Sequence, residues 1–264
     1  MKKRILNMIK WAALSIYLVT ALGFAKNMNQ QLVCSQKQIV ITGNNKFIET
    51  EDVNNLLINN GLICDSIPMR NINFDNIEKL IKTHPAVAKV QTYSDYEGKL
   101  IIVIKQRTPI LRVVPKDLSQ ANGYYIDAVG EIMPLSKKHT AHVTVLTGEI
   151  TPEFTKSLHK DSITVEHVKS LYGYTLLDVF EFSKFIATHE LWGPQFDQIH
   201  INSEYDIELI PRVGNHIILL GDLENYRYKL SKLEAMYREG FKKADWNKYT
   251  IINLKYSNQV VCTK

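Results

Sequence analysis

The sequence predicts an α+β chain: a single N-terminal transmembrane helix, a β-α-α-β-β module, then a mixed β-domain with one long helix and a C-terminal helix–strand unit. Three observations predict this class. One apolar stretch lies near the N-terminus, behind a basic flank. Residues 38–107 switch between helical and alternating apolar spacing. From residue 108 onward many short alternating segments follow one another, interrupted by two segments of helical period.

The first part rests on charge and length. The 264 residues carry 32 Lys+Arg and 27 Asp+Glu, a net charge of +5. Residues 1–26 hold Lys2, Lys3, Arg4, Lys10 and Lys26 and no acid, so the whole excess sits there and the rest of the chain is balanced. A nucleic-acid binder carries its excess on the folded domain, so no nucleic-acid partner is expected. With 45% hydrophobic and 22% charged residues, the chain is also not of the disordered class. Trp11–Ala25 is fifteen uncharged residues, and extension back to Ile5 brings the stretch to 21, the length of a bilayer-spanning helix. Lys10 sits close enough to the end to snorkel. The residues divide into a cytoplasmic tail 1–10, a transmembrane helix 11–25 as the core of a span 5–25, and a linker 26–37. Four positive charges before the apolar core and one after it put the N-terminus in the cytoplasm and the main domains outside. A cleaved signal peptide ending at Gly23-Phe24-Ala25 is the competing reading. Cys34 and Cys64 can pair in such a compartment, with Cys262 left odd, or all three can be separate thiols.

The second part, residues 38–107, starts with the strand Gln38–Ile41, closed by Gly43-Asn44. Thr50 caps a helix with Glu51 and Asp52 in its first turn, Val53, Leu56 and Leu57 as its stripe, and Gly61 at its end. A second helix starts near Asn73, carries Ile77, Leu80 and Ile81 on one face, and stops at Pro85. The strands Val87–Tyr93 and Lys99–Gln106 are joined by the turn Asp95-Tyr96-Glu97-Gly98. Leu100, Ile102 and Ile104 share the face expected to meet the helices.

The third part, residues 108–264, opens with a hairpin of Gly123–Asp127 and Gly130–Met133, then the strand Val143–Leu146. One long helix over Val165–Leu191 carries Val168, Tyr172, Leu176, Val179, Ser183 and Ile186 along its inner face, weakened at Gly173. Gln198–Asn202, Asp206–Arg212 and His216–Leu220 form a meander. A helix from an Asp222 cap to Gly240 follows, and Tyr249–Tyr256 and Gln259–Thr263 close the chain as strands.

No catalytic signature assembles. His189-Glu190 begins a zinc-protease helix motif, but the second histidine position is Gly193. His139 and His142 lie in a loop-to-strand region and share no helix face. There is no Gly-x-Ser-x-Gly elbow, Gly-rich phosphate loop or Cys-x-x-Cys. No cofactor, metal or small-molecule substrate is therefore expected. Carboxylates at Asp161, Glu166, Glu181 and Glu190 keep an anchored cell-envelope hydrolase as an alternative. Among the thirteen tyrosines, Tyr256 is the one expected at an interface, because its strand ends the sheet.

Three local words go with this layout: Lys105-Gln106-Arg107-Thr108-Pro109-Ile110 leaving the module, Tyr124-Tyr125-Ile126-Asp127-Ala128-Val129-Gly130 in the next hairpin, and Lys255-Tyr256 ending a late strand. Together they resemble the FtsQ/DivIB family of bacterial division proteins, over nearly the whole chain. The resemblance implies that residues 38–107 are a POTRA domain. It implies a non-enzymatic, bitopic scaffold at the division septum that binds FtsB- and FtsL-like partners. It places the partner site on the late strand, at Lys255, Tyr256, Asn258 and Val260. Arg107 and Pro109 then read as the hinge between domains, since Pro109 restricts Thr108 to extended geometry. Some members continue to a further aromatic residue; here the sequence reads Val261-Cys262-Thr263-Lys264. A POTRA-type envelope assembly factor is the remaining alternative.

Overall fold

The computed structural model describes residues 10–23, 33–62, 67–116, 123–158, 164–240 and 248–264. Residues 1–9 of the expected tail and span, residues 24–32 at the end of the span and in the linker, Cys64 and Asp161 lie outside them. Residues 10–23 form helix α1, and among the described residues no helix is long and apolar enough to cross a membrane. The chain divides into two compact units, Met1–Arg107 and Thr108–Lys264.

In the first unit, β1 (Gln36–Thr42), α2 (Thr50–Asn59), α3 (Phe74–Lys82), β2 (Val87–Ser94) and β3 (Lys99–Gln106) follow the β-α-α-β-β order. The sheet order is β1-β3-β2, with β1 parallel and β2 antiparallel to the central strand. A parallel pair needs a long crossover, and the two helices are part of it. Leu100, Ile102 and Ile104 are fully buried in one core with Val53, Leu57, Ile77 and Ile81. Burial of each such side chain contributes about 1.5–3 kcal/mol. Leu56 and Leu80, expected on that face, are only partly buried, because the inward stripes run through the i, i+4 pairs 53/57 and 77/81. The first helix is capped by Glu49, not Thr50: its extended backbone donates N–H to Asp52 Oδ2 at 2.9 Å.

In the second unit, the strands are β4 (Pro109–Val113), β5 (Tyr124–Asp127), β6 (Ile132–Pro134), β7 (Thr144–Gly148), β8 (Phe196–Ile201), β9 (Ile207–Pro211), β10 (Ile217–Gly221), β11 (Ile251–Asn253) and β12 (Val261–Thr263). Among the described residues they form one sheet in the order β12-β11-β10-β9-β8-β7-β4-β5-β6. Leu111, Leu146, Ile199, Leu209, Ile218 and Ile252 share a core with residues of α4 (Pro152–Lys156), α5 (Thr164–Tyr172), α6 (Leu176–Thr188) and α7 (Tyr226–Ala235).

Three expectations need correction here, and one helix is added to them. The single long helix is two, α5 and α6. Gly173 takes a positive φ of 78°, and Thr175 then caps α6 in a capping box with Asp178. The predicted inner-face residues, from Val168 to Ile186, are buried all the same. The short helix α4 was not expected from apolar spacing; it is set by the Thr151 cap and Pro152 at its first position. Asp222 does not cap α7. It accepts from Glu224 N–H in a preceding turn, and α7 starts after Asn225 and continues into a π-helical turn Met236–Gly240. The two closing strands are each only three residues long.

Candidate docking edge

The family words have a plain structural basis. Gln106 is buried, and its Oε1 accepts from Phe47 and Ile48 N–H while its Nε2 donates to Asn45 O at 2.7 Å. That side chain latches β3 to the loop before α2. Asp127 Oδ1 accepts from Val129 and Glu131 N–H, both at 2.9 Å, and Gly130 supplies the positive φ of 93° that closes the hairpin. Arg107 N–H donates to Ala86 O, and Arg107 O accepts from Asn45 Nδ2. Thr108 O accepts from Ala128 N–H, and Pro109 is buried as the first residue of β4. The ring costs β4 no ladder pairing at that end position.

The predicted partner residues do not lie on a strand. Lys255, Tyr256 and Asn258 occupy the turn between β11 and β12, and Val260 is partly buried against the core just before β12. Asn253 ends the strand early: its Oδ1 accepts from Lys255 N–H in an Asx turn. Lys255, Tyr256 and Asn258 are nevertheless gathered together and exposed, Tyr256 by 50%. Lys255 Nζ pairs with Asp206 Oδ2 at 2.6 Å, and this carboxylate hydrogen bond raises the lysine pKa. Lys255 lies across Gly221, where an added Cβ would meet its Cγ at 2.8 Å.

The edge strand is β12. Its backbone orientation follows from β11. Thr250 O accepts from Ile217 N–H and Leu254 N–H donates to Leu219 O, so Ile252 between them turns its backbone groups to β10, while Thr250 N–H, just before the strand, donates to Thr263 O. Ile251 and Asn253 therefore face β12, opposite Thr263 and Val261. Cys262, between those two and opposite Ile252, turns its N–H and C=O to the other side, where no strand among the described residues lies beside β12. Its side chain points inward, Sγ 3.9 Å from Met236 Sδ, and burial raises the thiol pKa. Val261, 39% exposed, shares the outer face with Ile217 and Ile251, which are exposed to a similar degree.

The opposite edge, β6, contains Pro134, which has no N–H to donate. The sheet thus has one blunted edge and one that can still accept a strand. Sequence reading missed Val261 and Cys262 as the edge. Asn253 and the Ser257-Asn258 pair were the turn signals that would have moved it there.

Of the carboxylates raised for a hydrolase, Asp161 lies outside the described residues, and Glu181 and Glu190 have described surroundings. Glu181 faces an open groove of about 290 Å³, shared with Lys169, Tyr174, Asp178, Glu224 and Tyr226. Asp178 there is occupied as the α6 cap, accepting from Thr175 N–H and Oγ1, each at 2.8 Å. Glu190 is exposed beyond α6, and His189 Nδ1 accepts from Leu191 N–H as the helix ends.

The two units are a small helix-covered sheet module and a helix-backed sheet whose β12 has no strand paired on its outer side among the described residues. Residues 108–263 match the family described as FtsQ/DivIB, C-terminal related, and residues 32–105 match the POTRA-like domain. The chain belongs to the FtsQ/DivIB family of cell division proteins. No curated protein matches it.

Proposed function

We propose that this chain is a single-pass membrane scaffold of the division machinery at the septum, with residues 1–10 cytoplasmic, the span 5–25, the linker 26–37, and the units 38–107 and 108–264 outside. The basic flank before the apolar stretch supports that topology. So do the hydroxyls of Ser15 and Thr20, which donate to Trp11 O and Tyr17 O and are thereby satisfied within α1 itself. Arg107–Pro109 acts as the hinge: Arg107 is bonded to Ala86 and Asn45, and Thr108 to Ala128.

FtsB- and FtsL-like partners dock by adding a strand to β12, with Lys255, Tyr256 and Asn258 as side-chain contacts beside it. The observation that carries this reading is the outward-turned backbone of Cys262 at the edge of the second sheet that, unlike β6, contains no proline. The test is co-purification of both partners with the detergent-solubilised full chain. Cys262→Pro removes the outward donor while Val261 and Thr263 keep their pairing to β11. Recovery should fall at least tenfold or so. Tyr256→Ala should weaken binding by about 1–2 kcal/mol, roughly five- to thirtyfold. Undiminished recovery with a folded Cys262→Pro variant would rule out strand addition at β12.

A further inference from the structure

The turn that carries Tyr256 is organised around one ammonium group. Lys232, on α7, directs Nζ to three main-chain carbonyls: Leu254 O at 3.2 Å, Tyr256 O, and Gln259 O at 3.4 Å. A lysine has three N–H donors, and the three carbonyls match that number. The same Nζ lies 5.4 Å from the centroid of the Tyr228 ring. Leu254 directly follows the three-residue strand β11, and Gln259 lies two residues before β12. One side chain on a packed helix therefore spans almost the whole connection between the last two strands. Burial and the neighbouring Lys229 charge lower the Lys232 pKa, as expected for an ammonium whose water has been replaced by carbonyls.

A three-residue pair of strands at the end of a sheet has little cohesion of its own. β12 is held to β11 by pairs at Val261, Cys262 and Thr263, and its partly buried contacts are those of Val260 and Cys262 with the core. Without a cation, the carbonyl oxygens of Leu254, Tyr256 and Gln259 would lose a shared donor and converge with like partial charges.

We propose that Lys232 is a positioning residue that clamps the β11–β12 turn through these three carbonyls and so presents β12 as an ordered edge. The proposal rests on the reading of β12 as the docking edge, but its own readout needs no partner. The clamp removes beforehand the ordering that an added strand would otherwise have to impose, so it favours binding by pre-organisation.

The test is amide hydrogen exchange on the detergent-solubilised full chain, comparing the parent with Lys232→Met and Lys232→Gln. Methionine keeps the helix-compatible stem and removes every donor; glutamine keeps two donors on a shorter stem. Exchange at Val261–Thr263 should quicken about ten- to a hundredfold in Lys232→Met, less in Lys232→Gln, with β8 and β9 unchanged. Unchanged exchange at β12 in both variants would overturn the clamp. Equal acceleration at β12 and in β8 and β9 would overturn it too, because the lysine would then hold the whole unit. Recovery of the division partners separates the clamp from the docking reading. A loosened β12 with undiminished recovery leaves the clamp standing and removes the docking role. An unchanged β12 in Lys232→Met with lost recovery in Cys262→Pro removes the clamp and keeps the docking edge.

Discussion

The two units treat their sheet edges differently. In the first, the backbone of edge strand β2 is engaged by a side chain: Thr92 N–H donates to Glu78 Oε1 of α3 at 2.5 Å. The other edge strand, β1, is fastened at its start, where Cys34 N–H donates to Ile67 O and Val33 bridges Pro68. In the second unit β6 is blunted by Pro134, but β12 has neither a proline nor a capping side chain among the described residues. An exposed strand edge is a hazard unless it is used. The contrast is one of degree: among the described residues β2 and the start of β1 are tied down by contacts within the first unit, whereas β12 in the second has no comparable tie on its outer side.

The comparison can be broken most severely in the first core. Ile102→Asp places a carboxylate at a fully buried position among Val53, Leu57, Ile77 and Ile81. The loss should be on the order of 3 kcal/mol or more, confined to residues 33–107. Denaturant unfolding followed by exchange in each unit checks this; equal losses in both units would show that they do not fold as separate bodies.

A comparable break in the second unit comes from Gly148. Its φ is +106°, and an added Cβ would stand 1.9 Å from Ile201 O. Neither backbone can yield without parting β7 from β8, so Gly148→Ala should cost on the order of 3 kcal/mol in that unit alone. A melting curve for the unit that is unaltered would mean the two strands can shift apart cheaply.

The smallest expected effect sharpens the contrast through pH. His216 is buried beside Tyr237, Nε2 to OH 3.1 Å, and burial lowers its pKa below the ordinary histidine value. The unfolded chain then takes up the proton first. The stability from keeping this ring neutral is complete above the unfolded pKa, about 6.5, and is lost as pH falls through the folded value. Lowering pH from about 8 to about 5 should destabilise the second unit, and His216→Gln should reduce that dependence. A pH profile that is the same in the variant would assign the acid sensitivity elsewhere. At the alkaline end, burial moves Tyr124 up to about 12 although its hydroxyl donates a hydrogen bond to Thr155 Oγ1, which pulls the other way.

Much of the first unit was legible because its signals are local. Alternation along Lys99–Gln106 sets which side of β3 is buried whatever lies opposite, and Asn73 and Pro85 bound α3 from within ten or so residues. In the second unit the apolar stripe from Val168 to Ile186 was read correctly as the inner face, yet the break within it was not. Gly173 is tolerated in a helix; it becomes a stop because Thr175 and Asp178 form a better start two residues on. The end of the sheet lies further along the chain than the spacing predicts for a similar reason. Apolar and aromatic residues over Tyr249–Tyr256 read as one strand, but Asn253 turns its side chain back to Lys255 N–H and ends it.

Residue spacing alone carries the order of elements, the inward faces, the two-part division near Arg107 and the family words. Each of these depends on neighbours within a turn or a strand of one another. Which strand becomes the edge depends instead on pairing across long separations: β11 parallel to β10, and β12 folded back on β11. The clamp is of the same kind. Lys232 is one lysine among many on a helix, and nothing in its own surroundings along the chain marks it. It gains its role because packing of α7 brings its ammonium to carbonyls 22 to 27 residues away, where three acceptors converge on its three N–H donors.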